Sequence, residues 1–207
     1  MPRRPQVSRQ QRRAAVETRL MEAAERLMRD GDSFTDLSVD RLATEAGISR
    51  ATFYIYFEDK GDLIRRLAGR VFGELSDDAG VWWNAADRRD PGDLEVSMRR
   101  IIDSYRRHQA LITALNEMSS YDASVATTYR QLLNDISVDL SGVITRGQTD
   151  GTIRSELPAQ PVASALTWMV ERACHQNLPH QPSDYDAELA AALTQIIWGA
   201  LYLEKMN

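Results

Sequence analysis

A single cysteine, Cys174, stands in this chain of 207 residues, so no internal disulfide can form and cysteine cannot by itself build a zinc site. Histidine is nearly as scarce: His108, His175 and His180 are scattered, and none forms an H-E-x-x-H pair. Glycine and proline are few, and no long apolar/polar alternation supplies the period-two signal of β-strands. The longest strongly apolar run, 196–203, is far short of the roughly 20 residues that span a bilayer. Phosphate loops, dinucleotide fingerprints and G-x-S-x-G elbows are missing as well. The leading segment Pro2–Arg13 is basic with no apolar core behind it, unlike a secretory leader. The expectation is a cytoplasmic, all-α protein with no membrane segment, no metal, no cofactor and no catalytic constellation.

Charge is unevenly distributed. The chain carries a formal net charge of −5, yet residues 1–70 hold fourteen basic side chains against eleven acids. Five of these bases, Arg3, Arg4, Arg9, Arg12 and Arg13, lie in a leading segment without any acid. A basic arm before a mildly basic region is the footprint of a polyanion-binding end, although a solvated tail has the same composition.

Apolar periodicity predicts about nine helices. Val16, Leu20, Ala23, Ala24 and Leu27 form one stripe over 14–29. Ser38 caps a second helix ending at Gly47, Ser49 caps a short third one ending near Phe57, and Asp59 caps a long fourth reaching Trp83. Further stripes follow over 94–105, 111–118, 125–144, 159–177 and 185–203, with Gly147 and Gly151 ending the third of these. The expected organisation is a basic flexible arm over 1–13, a compact helical unit over 14–60, and a larger helical unit over 61–207.

Within the first unit, helix, glycine turn and short helix over 38–57 match a helix-turn-helix. Phe53 and Phe57 share one face as anchors, which leaves Arg50, Ala51, Thr52 and Tyr54 on the other, flanked by Tyr56 and Lys60. Arg50 suits a guanine edge and Thr52 a phosphate or thymine methyl. Tyr54, Tyr56 and Lys60 suit phosphate oxygens, and Ala51 permits close approach to a base. Ser38 and Ser49 at the two caps, with Arg12 and Arg13 from the arm, complete the candidate DNA-binding set.

At these residues the chain resembles the TetR family of transcriptional regulators. The likeness rests on Ala24 and Leu27, Ser38-Val39, Leu42-Ala43, Ala46-Gly47-Ile48-Ser49, Thr52-Phe53-Tyr54, Tyr56-Phe57 and Lys60. It implies an all-helical homodimer with an N-terminal DNA-binding domain and a C-terminal domain for small molecules and dimerisation. Asp59 beside Lys60 and Asp40 in the second helix depart from the family pattern and oppose a phosphate.

The second half is similar to the ethionamide-resistance repressor type through Leu166–Arg172, Gln181-Pro182, Ile197-Trp198, Tyr202 and Glu204. That type lines a long apolar tunnel and offers two asparagine amides to its ligand; here those positions are Thr167 and Val170. The remaining candidates for a wall around an apolar, partly aromatic ligand are Trp82, Ile101, Tyr105, Met118, Tyr129, Leu133, Trp168, Glu171, Trp198 and Tyr202. The last helix is apolar on more than one side and so must be buried on more than one side. Its Leu193, Ile197, Gly199, Ala200 and Leu201, with Ala165, Met169 and Ala173 of the preceding helix, are the expected dimer interface. The whole reads as a ligand-responsive repressor on a near-palindromic, double-stranded operator. A small helical enzyme acting on an apolar substrate, and a constitutive DNA-binding protein with a filled core, are the alternatives.

Overall fold

Residues 9–30, 32–86 and 89–202 are described by a computed structural model; Arg3, Arg4, the Arg9 side chain, Leu203 and Glu204 lie outside the described residues. Among these residues there are nine α-helices and no strand. None of the helices is long and apolar enough to cross a membrane.

The first helix, α1 (Arg9–Arg29), begins five residues earlier than its apolar stripe suggests. Gln, Arg and Ala are good helix formers, so the end of the basic segment is helical and not a flexible arm. Its first turn has no acid to complement the helix dipole. Arg13 instead donates to Glu17 one turn on, at 3.2 Å. Val16, Leu20, Ala23, Ala24 and Leu27 are all buried, as the stripe requires.

Helix α2 (Val39–Glu45) is capped by Ser38, whose Oγ accepts from the Arg41 amide at 3.2 Å. It stops because Gly47 adopts φ +65. The Ile48 amide then reaches Ala43 O at 2.9 Å and the Gly47 amide reaches Thr44 O at 3.0 Å, a Schellman closure. A Cβ at Gly47 would meet open space, so only the backbone opposes substitution. Gly47→Ala is expected to cost about 1 kcal/mol, read as a lower urea midpoint at unchanged slope.

Helix α3 (Arg50–Tyr56) follows, capped by Ser49, and buries Phe53 with Phe57 just beyond, their ring centroids 5.3 Å apart. Arg26 ties α1 to α2 by donating to the Glu45 carboxylate at 2.8 Å and to its carbonyl at 3.2 Å.

The remaining helices are α4 (Lys60–Trp83), α5 (Pro91–Arg107), α6 (Gln109–Ser119), α7 (Ala123–Thr149), α8 (Ala159–Asn177) and α9 (Tyr185–Leu201), with a short 3-10 turn over Leu178–His180. Two compact units result, and they do not divide linearly near residue 60. Residues through Ala68 group with Ala110–Thr128, and Gly69–Gln109 group with Tyr129 onward. Side-chain bonds from Ser33 to Glu117 (3.2 Å) and from Arg65 to Ser124 (2.7 Å) bring α6 and the start of α7 into the first unit.

In the second unit α5 starts on Asp90, which accepts from the Gly92 amide at 2.8 Å. It buries Leu94, Met98, Ile101, Ile102 and Tyr105 and packs on α8 and α9. Arg106 locks this packing: its guanidinium grips Asp186 at 2.6–3.1 Å and donates to the carbonyls of Leu178 (2.5 Å), Gln181 (3.0 Å) and Pro182 (3.1 Å). Helix α7 runs through Gly147 and ends at Thr149, two residues before Gly151, which has φ +70. Gly147 serves close packing instead, because Ile153 lies 2.7 Å from where its Cβ would stand.

Candidate nucleic-acid interface and ligand cavity

Two places gather the candidate side chains, one in each unit. In the first, Ser49 accepts from the Thr52 amide at 3.0 Å, and its Oγ lies 2.8 Å from Thr52 Oγ1, so both hydroxyls are oriented by the cap. Ala51 is exposed; Tyr54 is 47% and Ile55 68% exposed. Ile55, absent from the expected set, is the most exposed large apolar residue described; its place on the face opposite the Phe53 anchor was the available signal. Tyr56 is half-buried, and its carbonyl accepts a long 3.5 Å bond from Arg13. Arg12 is exposed on the first turns of α1.

Arg50 is not a solitary charge. Its Nη1 donates to Asp40 Oδ2 at 2.6 Å, and its guanidinium lies 5.6 Å from the Tyr54 ring centroid. Asp40 first and Tyr54 second raise its pKa above the ordinary value. Asp40 therefore faces Arg50, where it fixes the side chain that would read a base. Asp59 is likewise engaged: its Oδ1 accepts from the Asp62 amide at 2.7 Å, placing its charge at the positive end of α4.

Lys60 requires a correction. Its ammonium donates to the carbonyls of Thr35 (2.6 Å), Leu37 (2.7 Å) and Phe34 (3.2 Å), so its three donors hold the loop between α1 and α2 and are not presented to a phosphate. Burial holds its pKa below the ordinary lysine value, against a smaller opposing pull from Asp36.

In the second unit a cavity of ≈ 70 Å³ lies among α4, α5, α7, α8 and α9. Of the expected wall, Trp82, Ile101, Tyr105, Leu133, Thr167, Val170 and Glu171 line it. Sequence reasoning missed Phe72, Leu75, Ala79, Met98, Ile136, Leu140 and Leu166; the heptad stripe of α4 was the signal for Leu75 and Ala79. Tyr129 stands behind the wall, donating its hydroxyl to Glu171 Oε1, with its ring edge-on to Phe72 and Trp168.

Five expected wall residues do not line the cavity, Tyr129 and Trp168 among them. Met118 belongs to the first unit, buried in α6. Trp198 and Tyr202 stack on each other at 4.0 Å, and the Tyr202 hydroxyl donates to Ala86 O at 3.3 Å. Leu193, Ile197 and Leu201, expected at a dimer interface, are also corrected: they are buried within the chain on the face of α9 that meets α5, and Ile197 lines the cavity. Ala165 and Gly199 are exposed and Met169, Ala173 and Ala200 half-buried; Ile196, 53% exposed, joins them on the outward surface.

Three residues of the cavity wall each bury a polar atom. Trp82 Nε1, Thr167 Oγ1 and Glu171 Oε2 are buried without a hydrogen-bond partner. Nearby Cys174 is buried, and burial first, then Glu171 and Asp186, push its thiol up to about 12. It should remain unreactive towards a neutral maleimide from pH 6 to 9 and react once the chain is unfolded in urea. Among the described residues no group of His, Cys, Asp and Glu is arranged to hold a metal.

Comparison with known proteins places both halves. Residues 20–67 match the family of bacterial regulatory proteins of the tetR family, and residues 94–203 match the C-terminal domain of transcriptional regulator EthR. The HTH-type transcriptional regulator EthR of Mycobacterium tuberculosis is 29% identical over 192 residues, covering 91% of this chain and 88% of that protein. The HTH-type transcriptional repressor BepR of Brucella suis is 24% identical over 142 residues, covering 64% of this chain and 66% of that protein. The structure of the regulator FadR from Bacillus subtilis in complex with stearoyl-CoA superposes with a TM-score of 0.71 at 14% identity, covering 88% of this chain and 98% of that one.

Proposed function

Because the chain belongs to the TetR family of DNA-binding transcriptional regulators, with a second half of the EthR type, we propose that it is a repressor released from a near-palindromic operator by a small apolar ligand. The observation that carries this reading is the apolar cavity of the second unit, three of whose wall residues, Trp82, Thr167 and Glu171, bury a polar atom without a partner. A core designed only for stability would leave no such atoms, because each costs about 1–3 kcal/mol.

The DNA-binding face comprises Arg50, Ala51, Thr52 and Tyr54, with Arg12, Arg13 and Tyr56 beside them; Ser38 and Ser49 act through the caps they form. Arg50, held by Asp40, reads a base edge; Tyr54 and Thr52 meet the backbone. Arg50→Ala is expected to reduce discrimination between operator and random DNA by about tenfold in a mobility-shift titration. An unchanged ratio would remove Arg50 from base reading.

A single helix-turn-helix buries too little surface to select a site, so two copies must bind successive major grooves roughly 34–36 Å apart or a multiple of that spacing. Members of the family are dimeric. The outward small and apolar residues of α8 and α9 (Ala165, Met169, Ala173, Ile196, Gly199 and Ala200) suit a self-complementary pairing. Helix α4 supplies Phe72, Leu75, Ala79 and Trp82 to the cavity, while its first turns belong to the DNA-binding unit. A ligand that displaces those side chains shifts a helix common to both units and so changes the spacing of the two recognition helices. The effect is limited to the ligand's preference for the displaced form, about 1.4 kcal/mol per tenfold. The test is thermal stabilisation by small apolar compounds, followed by operator titration with those that bind.

A further inference from the structure

We infer that the cavity selects apolar ligands whose polar end donates an N–H, an amide or an amine, and discriminates against carboxylic acids. This rests on the reading of the cavity as the effector site. Glu171 decides the chemistry. It is 2% exposed, and its Oε1 accepts from the Tyr129 hydroxyl, while Oε2 has no hydrogen-bond partner. Arg172 pairs with this oxygen only at a distance: its Nε lies 3.6 Å from Oε2, beyond hydrogen-bonding reach, and its side chain is half exposed to solvent.

A buried carboxylate oxygen in this condition accepts but cannot donate, and a charge-assisted bond from an N–H is the strongest partner it can gain. A ligand carboxylate would instead bring a like charge to a site that already holds one. Trp82 Nε1 adds an unpartnered donor and Thr167 Oγ1 a group that both gives and accepts, so a carbonyl beside the N–H also finds a partner. The rest of the wall (Leu75, Ile101 and Leu133 among it) is hydrocarbon and suits the chain of such a molecule.

The test uses the full chain and four matched probes at pH 7: octanamide, octylamine, octan-1-ol and sodium octanoate. Binding is read by calorimetry and by fluorescence of the wall tryptophans. Octanamide and octylamine are expected to bind at least about tenfold more tightly than octanoate. Glu171→Gln keeps the shape and an acceptor for Tyr129 but removes the charge; it should abolish the advantage of octylamine over octanoate. Octanoate binding as tightly as octylamine, or the order surviving Glu171→Gln, overturns the inference while the cavity keeps its role. Binding of none of the four overturns both. The wild-type series decides even if the variant does not fold.

Discussion

Arg106→Ala is expected to lower the unfolding free energy by about 3 kcal/mol, the lower end of what removing one partner of a buried ion pair costs. The lower end applies because Arg106 and Asp186 keep 23% and 25% of their side-chain surface, so water screens part of the loss. The variant strands more than a charge: Asp186 loses a bidentate partner, and the carbonyls of Leu178, Gln181 and Pro182 lose their donor together. Arg106→Lys should recover less than half of this, because an ammonium cannot present a planar fork to Asp186 and reach three carbonyls at once. Urea unfolding checks both variants; a change within about 0.5 kcal/mol for Arg106→Ala would class the cluster with inconsequential surface pairs.

Lys60→Ala should cost about 2 kcal/mol, since half-buried carbonyls of the α1–α2 loop lose their donor. Its signature in DNA binding separates a structural role from a phosphate contact. Where the variant is folded, the slope of log affinity against log salt should match the wild type. A slope shallower by about one would mean that Lys60 does neutralise a phosphate.

These two clamps mark the limit of what the chain shows in one dimension. Helix number and most buried stripes follow from local periodicity, and the helix-turn-helix follows from Ser38, Gly47 and Ser49, whose effects act within a turn of the backbone. The partners of Lys60 lie 23–26 residues away and those of Arg106 72–80 residues away, distances at which no local spacing rule operates. Lys60 read as a phosphate contact for that reason: a lysine beside a recognition helix looks the same whether its donors point out or in.

Helix α9 failed differently. It is apolar nearly all round, so its sequence says that two sides are covered without saying which. Contact with α5 settles that Leu193, Ile197 and Leu201 face inward and leaves Ile196 and Gly199 outward. Met118 shows the same limit at the scale of a unit, because a stripe on α6 does not tell which core receives it. The cavity wall was partly legible through its aromatic residues and through Thr167, Val170 and Glu171. The unpartnered state of Glu171 Oε2 depends on Tyr129, 42 residues away, and so needed three dimensions.

The claim that ties both units together is that filling the cavity weakens DNA binding. The direct measurement is the affinity of the intact protein for an operator fragment selected from the DNA flanking its own gene, titrated with and without saturating octanamide, with tryptophan quenching reporting occupancy. The account predicts that the operator Kd rises at least about tenfold as quenching saturates. Full quenching with an unchanged Kd would contradict it.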